Sequence, residues 1–105
     1  MSEARKTLGS RGEEAICAFM ERQGFEVVTR NWRCSYGEID IIARQNGVLI
    51  FCEVKTRKSM EAGTPDESIT WRKQERYTRM AKLYLKREHP HYEHLRFDVA
   101  TVSVY

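Results

Sequence analysis

A chain of 105 residues has room for one domain with its own core and little more. Its 41% apolar and 31% charged residues are ordinary for a soluble globular protein, and a net charge of +3 permits a nucleic-acid partner without demanding one. No apolar run approaches the roughly 18 residues of a membrane span. Cys17, Cys34 and Cys52 are scattered and form no C-x-x-C pair, which argues against a disulfide framework or a zinc ribbon. With no apolar signal segment in MSEARKTLGSRGEEA, the cytoplasm is the expected location. There is no internal repeat, low-complexity tract or linker, so residues 1–105 are read as a single domain.

Residues 1–9 are polar and expected to be loose. Ser10 to Glu13 has the form of a capping box, and Ala15, Ile16, Phe19 and Met20 follow at helical spacing until Gly24. This predicts a first helix over 11–23. Phe25 to Arg33 reads as a strand. Residues 37–45 and 48–56 read as a hairpin, and RKSMEAGTPDES as a polar connection punctuated by Gly63 and Pro65. Ile69, Tyr77, Met80, Ala81, Tyr84 and Leu85 predict a second helix over about 67–88 that Pro90 ends. Thr64 with Glu67 and Thr70 with Lys73 both mark possible starts for it. Leu95 to Val104 alternates as a last strand. The order is α-β-β-β-α-β, an α/β fold with a mixed sheet flanked by helices.

Asn46-Gly47 is a strong hairpin signal, because a type I′ turn needs φ > 0 at both central residues. With these two as the loop, Gln45 opposes Val48, Ile42 opposes Phe51, Asp40 opposes Glu53 and Glu38 opposes Lys55. Opposed residues share a sheet face, with Cβ atoms about 4.5–5.5 Å apart. One face therefore gathers Glu38, Asp40, Glu53 and Lys55. The other carries Ile39, Ile41, Ala43, Val48, Ile50, Cys52 and Val54 and asks for a helix to cover it. Charged residues on a strand are usually a solvated face, and Glu38 with Lys55 would be an ordinary surface ion pair. Two opposed carboxylates are not explained that way, since like charges destabilise a sheet pair unless something positive intervenes. Lys55 supplies one positive charge. A hard divalent ion such as Mg²⁺ would supply more, held by the two carboxylates and a main-chain carbonyl.

Asp40 followed by Glu53-Val54-Lys55 resembles the D…E-x-K signature of restriction-endonuclease-like nucleases. A wider set of stretches is similar to the YraN-like family of small bacterial proteins: Gly12-Glu13, Gly24-Phe25, Asn31-Trp32-Arg33, GEIDIIA (37–43), EVKTR (53–57), Arg72-Lys73-Gln74, AKLYL (81–85) and RFDV (96–99). That family is assigned to the same nuclease superfamily and is similar to archaeal Holliday-junction resolvases. The resemblance covers about residues 6–104. It implies a restriction-endonuclease-like core in which Asp40, Glu53 and the carbonyl of Val54 bind Mg²⁺ or Mn²⁺. Lys55 would then orient or deprotonate the attacking water, or stabilise charge on the phosphate. Glu13 resembles a helix 1 glutamate that joins the metal site in related resolvases, although the capping box also accounts for it. Its spacing before Ile16 and Met20 points it at the buried stripe; Glu14 is the weaker candidate, and Glu38 is a further acid within reach. A resolvase-like assembly would be a homodimer.

Helix 2 carries Arg72, Lys73, Arg76, Arg79, Lys82, Lys86 and Arg87, mostly as a solvated face. Lys73 differs, because it lies on the apolar stripe, where it either snorkels or points at the acids or a phosphate. Gln74 is placed to orient a water or a phosphate. Arg57 and Lys58 are placed to meet backbone phosphates, and Arg30, Arg33 and Arg44 extend such a track. Trp32 and Trp71 either pack or stack on bases. His89, His91 and His94 do not match a zinc spacing, and Cys52 alternates into the core. The reading is a Mg²⁺-dependent endonuclease acting on DNA, including branched or structured DNA. The rivals are a nucleic-acid-binding module that does not cut and a protein-interaction adaptor on the same fold.

Overall fold

The computed structural model describes residues 3–58 and 71–104. Its elements are α1 (Glu3–Arg22), β1 (Glu26–Cys34), β2 (Gly37–Gln45), β3 (Val48–Lys58), α2 (Trp71–Glu88) and β4 (His94–Val104), the α-β-β-β-α-β order expected. The sheet runs β1-β2-β3-β4, antiparallel except for the parallel β3–β4 pair. No helix among the described residues is long and apolar enough to cross a membrane.

Two turns behave as the sequence predicts. Asn46 and Gly47 take φ of 50° and 80°, and the ladder opens with Gln45 opposite Val48, as a two-residue type I′ loop requires. Gly24 takes φ of 93° and closes α1. Its N–H donates to the Glu21 carbonyl and the Phe25 N–H to that of Met20, the paired bonds of a Schellman motif. The start of α1 does not follow the prediction. Ser10 lies inside a helix that reaches back to Glu3, so the apparent capping box caps nothing and residues 3–9 are helical rather than loose. Local side-chain chemistry at Ser10 offers about 1 kcal/mol, which continued helical bonding outweighs. The start of α2 and the Gly63–Pro65 connection lie outside the described residues, as does Ile69. At its end, α2 stops at Glu88 and His89 takes φ of 47° just before Pro90.

Both faces of the sheet are covered, as a mixed sheet flanked by helices requires. Cys17 and Met20 of α1 pack on Ile41, Ala43, Ile50 and Cys52. On the other face Tyr77, Met80, Ala81 and Tyr84 of α2 pack on Ile39, Ile42, Leu49 and Phe51. The α2 stripe is the predicted one. That of α1 is rotated: Gly12, Cys17 and Met20 are buried, whereas Ala15 and Phe19 are exposed. Gly12 sets this rotation. A Cβ there would run into the Thr56 hydroxyl, so glycine lets the helix backbone settle against β3.

Ile39 also departs from expectation. It packs under α2 with Ile42, while Ile41 packs under α1. Strict alternation would put Ile39 with Ile41. The break falls at Asp40. Across from it in β1, Asn31 adopts φ of 54° between the paired residues Arg30 and Trp32.

The close α1–β3 approach is testable by urea denaturation. Gly12→Ala is expected to cost about 1–3 kcal/mol by overpacking, and Thr56→Ala, by removing the hydroxyl in the way, recovers most of that loss in the double variant.

Candidate functional site

Asp40 falls between Ile39 and Ile41, both paired with β1, and the β2–β3 ladder stops just before it. Toward β3, pairing runs from Gln45/Val48 to Ile41/Cys52 and stops. The expected continuations, Asp40 opposite Glu53 and Glu38 opposite Lys55, are not ladder pairs. Instead the Val54 N–H donates to Asp40 Oδ2 at 2.7 Å, a short charge-assisted bond in which a side chain replaces a backbone acceptor. A strand residue turns its N–H and C=O to the same side, so the Val54 carbonyl also faces the gap toward β2.

Two further acids converge on Asp40. Glu13, Glu38 and Asp40, all partly buried, each offer a carboxylate oxygen, and these lie within 4.8 Å of one another. Seating of α1 on Thr56 through Gly12 brings Glu13 in; Glu14, its neighbour, is exposed. Arg30 approaches Glu13 at 3.6 Å and Arg33 binds Glu38 at 3.0 Å. Burial pushes the Asp40 carboxyl up to about 6, against the pull of the Val54 N–H, and Glu13, Glu38 and Glu53 add to the rise. Octahedral Mg²⁺ spaces its ligand oxygens roughly 3–4.2 Å apart, so three carboxylates with oxygens within 4.8 Å of one another stand near the spacing that a hard divalent ion asks of its ligands.

Glu53 lies beside this group and outside it. Its carboxylate is 2.8 Å from the Lys73 ammonium, with both side chains under a fifth exposed. The lysine on the α2 stripe therefore points at an acid. Lys55 sits against Lys73, and that contact, followed by burial, lowers its pKa. Tyr77 closes the floor. Burial raises its hydroxyl pKa, and the charges of Glu53 and Asp40 raise it further. Beyond Glu53 a groove of about 470 Å³ opens between α2 and β4, lined by Lys73, Gln74, Tyr77, Phe97 and Val99.

The basic track is more compensated than the sequence suggests. Arg30 and Arg33 hold the site's own acids, and Arg44 makes two bonds to Glu26 at 3.0 and 3.1 Å. Arg76 is exposed and Arg57 half-buried; the side chain of Lys58 lies outside the described residues. Trp32 packs, meeting Tyr84 edge-on with ring centroids 5.4 Å apart, while Trp71 is 69% exposed. Among the described residues the histidines join no cluster of potential ligands. Cys52 is core, its thiol pushed up to about 12 by burial first of all. Sequence reasoning understated two residues. Glu38 is a full member of the acid group, which its place two residues before Asp40 already hinted, and Tyr77 borders the site as well as the core.

The family model for "Uncharacterised protein family UPF0102" matches residues 12–102, a span that contains every acid and lysine of the site. A UPF0102 protein of Nocardia farcinica is 44% identical over 98 residues, covering 93% of this chain and 77% of its own. One from Dictyoglomus turgidum is 41% identical over 97 residues (92% and 82%), and one from Symbiobacterium thermophilum 44% over 98 (93% and 83%).

The raised Asp40 pKa carries a stability consequence. Below the ordinary value of 3.8 both folded and unfolded chains hold the proton. As pH climbs toward about 6 the unfolded chain ionises first, so the metal-free fold loses stability, and above that the penalty is complete. Asp40→Asn is therefore expected to be more stable than the parent by about 1–2 kcal/mol at about pH 7.5, after allowance for partial solvent screening. The gain should vanish at about pH 3.5, with urea midpoints at the two pH values as the readout.

Proposed function

This chain belongs to the UPF0102 family, and from the acids and lysines gathered at the end of its hairpin we propose that it is a metal-dependent endonuclease hydrolysing phosphodiester bonds in DNA. The observation that carries the reading is the convergence of Glu13, Glu38 and Asp40 beside the Glu53–Lys73–Lys55 group. The resemblance of Asp40…Glu53-Val54-Lys55 to the nuclease signature supports it, with a restriction-endonuclease-like core similar to that of archaeal resolvases and branched DNA among its substrates.

In this reading Asp40, Glu13 and Glu38 hold Mg²⁺ or Mn²⁺, with Glu53 and the Val54 carbonyl at its margin. The bound ion would acidify a water and polarise the phosphoryl oxygen. Lys55 receives or directs the water's proton, a task that its lowered pKa suits. Lys73 neutralises Glu53 until a phosphate arrives and then shifts its charge to the phosphate oxygens. Gln74 meets the backbone along the groove, and the exposed Arg76, which lies near Gly37 at the start of β2, does so from the other side of α2. Arg57 extends that contact along β3, and Arg33 follows once released from Glu38.

One observation favours a second reading. The Glu53–Lys73 ion pair keeps Glu53 out of the acid group, as would suit a module that binds nucleic acid without cutting it.

A cleavage panel of single-stranded, duplex, flap and four-way DNA separates the two. The enzyme is expected to cut at least one substrate with Mg²⁺ or Mn²⁺ and not with EDTA. Activity should fall by about 10²–10⁴-fold in Asp40→Ala, Glu53→Ala and Lys55→Ala. Salt-sensitive retention of DNA with no cleavage under either ion would favour the binding module.

A further inference from the structure

Strand β4 runs for 11 residues along the sheet edge, and among the described residues only β3 pairs with it. A long edge strand is a row of unpaired N–H and C=O groups. Monomeric proteins blunt such edges with lysine, proline, bulges or inward-pointing charges. β4 contains no lysine or proline. Its α2-side face shows Leu95, Phe97 and Val99, 39%, 47% and 38% exposed. Phe97 stacks on Phe51 with its ring centroid 5.7 Å away. The opposite face carries one charge of each sign, Arg96 and Asp98, bonded to each other at 3.0 Å.

We propose that β4 pairs antiparallel with β4 of a second copy of this chain, about a two-fold axis that passes through Phe97. The register follows from backbone direction. The Val54 N–H points toward β2, so Phe51 and Glu53 turn theirs toward β4. In a parallel ladder the residues aligned with them, Phe97 and Val99, turn theirs away, toward the open edge. Outward-facing groups are therefore those of Leu95, Phe97, Val99 and Thr101, and only registers that oppose odd positions to odd positions bond. Centring on Arg96 sets arginine against arginine, and centring on Asp98 sets aspartate against aspartate. Centring on Phe97 opposes Arg96 to the partner copy's aspartate, twice. It also sets Leu95 against valine and Phe97 against its own counterpart. The edge is complementary to itself in that register alone among the three.

The axis is normal to the sheet, so the product is a continuous eight-stranded sheet with both α2 helices on one side. Strand spacing and rise put the two Glu53 positions on the order of 20 Å apart on that common face. The homodimer that resolvase likeness implies thereby acquires a specific interface. This interface rests on β4, not on the acids, and stands or falls independently of cleavage.

Sedimentation equilibrium of the full chain on the order of 100 μM tests it. The parent is expected to be a dimer. Arg96→Asp and Asp98→Arg each place like charges opposite one another and should weaken dimerisation by at least about tenfold. The combined Arg96→Asp/Asp98→Arg swap restores opposite charges and should restore the dimer. Val99→Pro removes an outward N–H while leaving the β3 ladder its bonds, and should also give a folded monomer. Circular dichroism reports folding for each variant. A monomeric parent, a dimer indifferent to the single reversals, or a swap that stays monomeric would overturn the proposal.

Discussion

The bond from the Val54 N–H to the Asp40 carboxylate organises the site. A half-buried strand amide needs an acceptor, and here the acceptor is a charged side chain in place of the neighbouring strand's carbonyl. The substitution ends the β2–β3 ladder at Ile41/Cys52 without leaving the amide unsatisfied. Ile39 and Ile41 fall under different helices, and Glu13 from α1 and Glu38 from β2 come close to the Asp40 carboxylate. Gly12 matters for the same reason: α1 could not seat Glu13 there if a side chain met Thr56.

The charges are distributed unevenly. Arg30, Arg33 and Lys73 attend Glu13, Glu38 and Glu53, while Asp40, at the centre, carries a carboxyl pKa raised to about 6. A sheet selected for stability alone would place an apolar residue or a neutral acceptor at that position. Retaining a desolvated carboxylate among other carboxylates makes sense where an external cation completes the set, and sites that oppose stability in this way are where function concentrates.

Much of the fold is legible in the sequence because its determinants are local. Asn46-Gly47 fixes the hairpin turn, Gly24 ends α1, and the Tyr77–Tyr84 stripe gives the buried face of α2. Lys73 on that stripe, which the sequence leaves between snorkelling and facing an acid or a phosphate, faces Glu53. What escapes is set by distant partners. Ser10 looks like a helix cap, but α1 continues through it to Glu3. The face reversal at Asp40 coincides with a left-handed Asn31 on one neighbouring strand and an amide on the other, and neither is visible in the alternation of β2. The parallel pairing of β4 beside β3, which creates the groove and leaves β4 at the sheet edge among the described residues, is likewise invisible to local pattern.

The claim that this acid group exists to hold a divalent cation is tested most directly by the ionisation of Asp40 itself. Carboxyl ¹³C NMR of the labelled protein, titrated with and without millimolar Mg²⁺, reads that side chain alone. The account predicts a midpoint near 6 in the metal-free protein that falls well below it when Mg²⁺ is present. A midpoint near the ordinary 3.8 that Mg²⁺ does not move would contradict it.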